Sequence, residues 1–195
     1  MTDIADETLI EQYRSGNAAA FDQLYERYRL PVYNYIRHQV KPSAQAEDIF
    51  QDVWFKVIQS LSQLDTASRF SAQSSAQSSI QSSAHFPAWL FTIARNTIAD
   101  HWRKKKPESL ENEDELQSHS ALAEQIAFIR SCMERLQALL KTLKPEQRDA
   151  FVLQQESGLT LEEIATIADC GRETIKSRLR YAMQKLRKGL EGCDE

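Results

Sequence analysis

Arg172, Lys176 and Arg180 stand four residues apart, and Arg178, Lys185, Arg187 and Lys188 fall in the same short stretch. On a helix a spacing of four returns to one face, so these cations form a stripe. The chemistry open to such a stripe is phosphate recognition, with guanine edges readable by Arg in a major groove. From Arg172 to Lys188 there are seven Lys/Arg and one acid, a balance of +6, in a chain whose net charge is −4. The remainder therefore sums to −10. Thr174, Ser177 and Glu173 lie near the start of the same segment, where base contacts usually arise.

Two other groups could do chemistry. In "WLFTIARNTIADHWRKKK", Trp89, Asn96 and Arg103 recur every seven residues, and Asp100 shares their side. An aromatic, an amide and cations on one surface suit single-stranded nucleic acid, whose bases stack on rings while cations follow the backbone. Trp89 reads equally as a core residue; Phe86 and Trp102 are assigned to the core. In "AEDIFQDVWFKV", Asp48, Gln51, Asp52 and Phe55 fall at i, i+3, i+4 and i+7. An acidic face bearing an exposed aromatic fits a protein-docking surface.

The elements that position these groups are helical throughout. Glycine is scarce at five residues, and strand-like alternation is hard to find. A short helix over "TLIEQYR" stops at Gly16. Asn17 is placed to cap the next, which carries Phe21, Leu24, Tyr25 and Tyr28 until Pro31 ends or kinks it. A further helix is expected through Tyr35, Ile36 and Val40. Ser43 is placed to cap a long helix with the stripe Ile49, Val53, Val57 and Leu61. Pro87 suits the first turn of the next helix, whose inner side is Leu90, Ile93, Ala94, Thr97 and Ile98. In the C-terminal part, Ile126, Ile129, Met133, Leu136, Leu140 and Leu143 line a first helix. Pro145 opens a second, with Ala150, Phe151 and Leu153, and Gly158 ends it. Thr160 with Glu163 makes a capping box for a short helix bearing Leu161, Ile164, Ala165 and Ala168. A tight Asp169-Cys170-Gly171 turn follows. The basic helix then buries Ile175, Leu179, Ala182, Leu186 and Leu190. A short helix, a tight turn and a longer basic helix match the helix-turn-helix plan. A basic run alone is usually a solvated face; the capping, the turn and the stripe together favour DNA reading.

The expected architecture is all-α: two small helical domains at 1–106 and 125–192, joined by a flexible acidic linker at 107–124. From Pro107 to Ile129 there is no Lys or Arg, while Glu108, Glu111, Glu113, Asp114, Glu115 and Glu124 are acidic. Residues 68–85 are read as a Ser/Gln-rich loop insertion containing the tandem tetrads AQSS, AQSS and IQSS, too polar to bury a core. No apolar run approaches a membrane span, and the start, MTDIADETLIEQ, is acidic and unlike a signal peptide. The reading is cytoplasmic, with no membrane insertion. Cys132, Cys170 and Cys193 are odd in number and widely spaced, and each is read as a free thiol. No nucleophile–base set, phosphate loop or metal-ligand cluster is recognisable; His119 and Cys132 are poorly spaced as ligands. The chain is not read as an enzyme, and no cofactor or metal is expected.

At this point "AEDIFQDVWFKV", "FPAWLFTIARNTIADHWRKK", "LKPEQRDAFVLQQESGLTLEEIA" and "ETIKSRLRYAMQKLR" together resemble bacterial RNA polymerase sigma factors of the extracytoplasmic-function (ECF) group. The match spans nearly the whole chain outside the serine insertion and the linker. It implies sigma2-like and sigma4-like domains and a transcription initiation factor that binds core RNA polymerase and helps to open promoter DNA, duplex and single-stranded. By that resemblance Asp48, Gln51, Asp52 and Phe55 dock on the clamp helices of the polymerase's largest subunit. Trp89, Asn96, Asp100 and Arg103 lie where the minus-10 element is read. Arg172, Thr174, Lys176, Ser177, Arg178 and Arg180 lie on the helix that reads the minus-35 element. The resemblance also implies an anti-sigma factor, which can hold the chain at the membrane. The departures are the serine repeats, which occupy the loop that in the family helps to form the pocket for a flipped base, Gly171, where many members have Pro, and Asp100, where the family commonly has Asn. Competing readings are a stand-alone repressor or activator, an interaction protein that binds only a partner, and, more distantly, a zinc-dependent enzyme.

Overall fold

The computed structural model describes residues 4–40, 43–63, 86–104 and 121–193. The serine insertion, the linker as far as residue 120, Lys105, Lys106 and His119 lie outside the described residues. The chain divides into two units, Met1–Pro107 and Glu108–Glu195. Eight helices and no strand occur among the described residues.

In the first unit, α1 (Asp6–Arg14) has Asp6 and Glu7 in its first turn and Arg14 in its last, each favourable to the helix dipole. Gly16 then takes φ 99°, a left-handed conformation costly to other residues. Asn17 stands at the N-cap of α2 (Ala18–Gln39), but its side chain makes no cap bond; only its carbonyl is used, accepting from the Ala20 N–H. Pro31 does not end this helix, which runs through it as one piece where two were expected. The missing N–H is offset by burial on the far side of it: Val32, Tyr35 and Ile36 are all at most 1% exposed. The stripe Ile49, Val53, Val57 and Leu61 of α3 (Ser43–Gln63) is buried as its period demands. α4 (Phe86–Lys104) buries Phe86, Leu90, Phe91, Ala94, Thr97 and Ile98. Trp102 corrects the sequence reading, being 48% exposed. One turn beyond Ile98, in the last turn of α4, it meets the ring of His101, with centroids 5.8 Å apart, instead of the core.

In the second unit, α5 (Ala121–Thr142) starts inside the stretch expected to be linker. Its apolar stripe is only half used. Ile129 and Met133 are exposed, whereas from Leu136 onward the stripe meets α6 (Pro145–Ser157) and α8 (Arg172–Gly189), with Leu140, Leu143, Ala182 and Leu186 at the centre. Amphipathic spacing gives the face but not the length of the partner that covers it. Gly158, at φ 66°, closes α6, and Thr160 caps α7 (Leu161–Ile167). The capping box is complete: the Glu163 N–H donates to Thr160 Oγ1 at 3.3 Å and the Thr160 N–H donates to Glu163 Oε2 at 2.8 Å. Ile175, Leu179, Ala182 and Leu186 of α8 are buried.

The cysteine reading is also corrected. Cys132 on α5 and Cys193 beyond α8 form a disulfide between positions 61 residues apart, with Cα atoms 5.9 Å apart; only Cys170 is free. Sequence spacing cannot reveal this pairing, because antiparallel packing of α5 on α8 is what brings the middle of α5 to the residues just beyond α8.

Candidate nucleic-acid interfaces

α7, the turn and α8 position the cationic stripe. Asp169 takes φ 49°, which a short polar side chain tolerates, and the Cys170 N–H donates to the Ala165 carbonyl at 3.0 Å, so the turn is tight. Gly171 stands at the N-cap of α8, and Arg172, Thr174, Lys176 and Arg180 are exposed, with Ser177 half-buried. The cations are not equivalent. Arg172 Nε pairs with Glu162 Oε1 of α7 at 2.5 Å and also approaches Glu173 at 3.6 Å. Lys176 approaches Glu173 at 3.7 Å, and Arg180 lies over the Tyr181 ring, 5.3 Å from its centroid. Arg178 is turned toward the turn, its Nη1 3.5 Å from Cys170 Sγ. Lys185 is diverted altogether: its ammonium donates to the Thr142 carbonyl at 2.6 Å, satisfying the end of α5. The outward field of the stripe therefore comes chiefly from Arg180, Arg187 and Lys188, with Arg172 and Lys176 offset by Glu162 and Glu173.

In the first unit the row on α4 is on the surface as expected. Asn96 is exposed, Asp100 and Arg103 have side chains 42% and 78% exposed, and Arg103 Nη2 donates to Asp100 Oδ1 at 2.8 Å. Trp89 is half-buried, packed on Phe86 at 5.7 Å, which makes it a support for the row more than a free stacking ring. Two residues were missed by the sequence reading. Trp102 presents an exposed ring in the last turn of α4, and Lys56 reaches from α3 to Thr97 and Asp100 of α4. The first was hidden by the habit of assigning aromatics to cores, the second because it stands on a different helix.

The acidic face of α3 is equally open. Asp48, Gln51, Asp52 and Phe55 are all exposed, Phe55 at 61%. A ring that open on a helix whose opposite side is fully buried is an anchor without a pocket inside its own unit. Among the described residues no three His, Cys, Asp or Glu side chains group as metal ligands, and no helix is long and apolar enough to cross a membrane.

Known proteins fall in line with these two units. The family model described as Sigma-70 region 2 matches residues 24–72, and that described as Sigma-70, region 4, matches residues 139–188. The chain is 27% identical to the ECF RNA polymerase sigma factor BldN of Streptomyces coelicolor over 91% of this chain and 63% of that protein. It is 28% identical to the ECF RNA polymerase sigma-E factor of Escherichia coli over 94% of this chain and 93% of that one. Among solved structures, the sigma factor RpoE of Bartonella quintana, in complex with the anti-sigma factor NepR, superposes with a TM-score of 0.60 at 23% identity, covering 88% of this chain and 96% of that one. At that identity the likeness is one of fold.

Proposed function

The chain belongs to the sigma-70 family, in its ECF group, and from that membership we propose that it directs core RNA polymerase to promoters and helps to open them. The observation that carries the proposal is that the two family-matched units each present a surface of the required chemistry: the basic stripe of α8 and the amide-and-cation row of α4. Duplex DNA is held by Arg172, Thr174, Lys176, Ser177, Arg178 and Arg180 at the minus-35 element, with Arg178 swinging away from Cys170 to do so. The unpaired minus-10 strand is taken by Asn96, Asp100 and Arg103, with Trp89 behind them. Strand capture lowers the free energy of the open state, so binding alone shifts the duplex toward melting; no bond is made or broken by this chain.

The face of Asp48, Gln51, Asp52 and Phe55 docks on the clamp helices of the polymerase's largest subunit. The acidic stretch ahead of α5, with Glu108, Glu111, Glu113, Asp114 and Glu115, follows a basic channel as a mimic of nucleic acid. The protein works in the cytoplasm, and an anti-sigma factor, as in the RpoE–NepR complex, restrains it. The docking assignment is tested by a pull-down with core polymerase. Asp48→Ala, Asp52→Ala and Phe55→Ala together should weaken binding by at least about 2 kcal/mol, as loss of an interface anchor does. Unchanged binding would remove this face from the interface.

A further inference from the structure

Asp100 sets a problem for the strand-binding row, since a carboxylate there repels phosphate. The structure answers it with a residue from another helix. Each oxygen of Asp100 faces its own cation: Oδ1 accepts from Arg103 Nη2 at 2.8 Å, and Oδ2 lies 3.9 Å from Lys56 Nζ. The Lys56 ammonium is itself anchored, donating to Thr97 Oγ1 at 3.0 Å. Thr97 is 4% exposed and donates in turn to the Ile93 carbonyl at 2.8 Å, so its hydroxyl is fixed in orientation and offers Lys56 a lone pair. The anchor is rigid where the charges are solvated: the side chains of Lys56 and Asp100 are 44% and 42% exposed. An ammonium has three donors, and two directions are taken here. Lys56, Asp100 and Arg103 thus form a cation–anion–cation row across α3 and α4 with a net charge of +1.

We propose that Lys56 is a positioning residue of the strand-binding surface, whose task is to neutralise Asp100 so that an acid can stand among strand contacts without repelling the backbone. The proposal rests on the assignment of α4 to unpaired promoter DNA. It differs from a simple phosphate contact in one testable respect: the need for Lys56 disappears when Asp100 loses its charge.

The experiment is a double-mutant cycle with the full chain and saturating core polymerase. The probe is a promoter selected by the unaltered chain from a randomised library, prepared with its minus-10 stretch as an unpaired bubble. Lys56→Met should weaken bubble binding by about fivefold when Asp100 is present, the upper end for an exposed pair, because Asp100 then keeps Arg103 alone as its cation. In the Asp100→Asn background the same substitution should cost less than about twofold, and Lys56→Arg should retain most of the affinity because it keeps the charge. Thermal unfolding of each variant separates binding from folding. An equal loss from Lys56→Met in both backgrounds, or no loss in either, would overturn the proposal. Asn96→Ala separates the two layers: if it weakens bubble binding while Lys56→Met does not, only the role of Lys56 is wrong; if neither does, the strand-binding assignment fails with it.

Discussion

Arg172, the first residue of α8, is paired with Glu162 of α7 at 2.5 Å, so the leading cation of the DNA-reading helix is held by an acid from the helix before it. Both side chains are more than half exposed, at 52% and 57%, and an exposed pair contributes little to stability. Its consequence is for binding, because the guanidinium must leave Glu162, or share it, to meet DNA. Glu162→Gln should therefore raise affinity for duplex promoter DNA by about threefold to tenfold and steepen the salt dependence, while unfolding free energy moves by less than about 0.5 kcal/mol. Fluorescence anisotropy across a salt series checks this. A fall in affinity would mean that Glu162 orders Arg172 for recognition.

The sequence shows this helix-turn-helix well because its signals are local. Thr160 and Glu163 cap each other within one turn, Gly158 supplies the left-handed residue, and the period of Ile175, Leu179, Ala182 and Leu186 marks the buried side. What the sequence hides is set by tertiary packing. Whether Ile129 is covered depends on how far α8 extends along α5, and whether Pro31 breaks α2 depends on what Val32, Tyr35 and Ile36 bury against. Lys185 and Arg178 count as outward cations in a helical projection, yet the Thr142 carbonyl and Cys170 Sγ claim them. The Asp100–Lys56 pairing joins residues on different helices, and no spacing rule reaches it.

The disulfide gives a prediction confined to one unit. Trp54, Trp89 and Trp102 all lie in the first unit, so tryptophan fluorescence follows that unit, whereas far-UV circular dichroism follows both. Closing a loop between positions 61 apart limits the unfolded chain by roughly 4 kcal/mol in the chain-entropy treatment. Reduction, or Cys132→Ala with Cys193→Ala, should lower the urea midpoint seen by circular dichroism in the second unit. The fluorescence transition should stay in place. An unchanged circular-dichroism transition would show that the cross-link contributes nothing.

Alkaline pH should act on the first unit through Tyr28. Its hydroxyl donates to buried Asp6, which Arg27 also holds, tying α1 to α2. Burial, then the bond to Asp6 and the charge of that carboxylate, push the phenol well above its ordinary range. Below about pH 10 the phenol is protonated in both states and makes no pH-dependent difference. Above that, the unfolded chain releases a proton that the folded chain keeps, so stability falls as pH rises. Urea titrations followed by tryptophan fluorescence between pH 8 and 11 should show a steeper loss above about pH 10 for the unaltered chain than for Tyr28→Phe. Parallel curves would place the alkaline sensitivity elsewhere.

Promoter-specific initiation is the most direct measurement of the central claim. Core polymerase is incubated with a promoter library, with and without the full chain, and transcript starts are sequenced. The account predicts new starts downstream of a shared pair of elements only when the chain is present, and their loss with Lys176→Ala and Arg180→Ala on α8 or Asn96→Ala on α4. Identical start sites with and without the chain would contradict it.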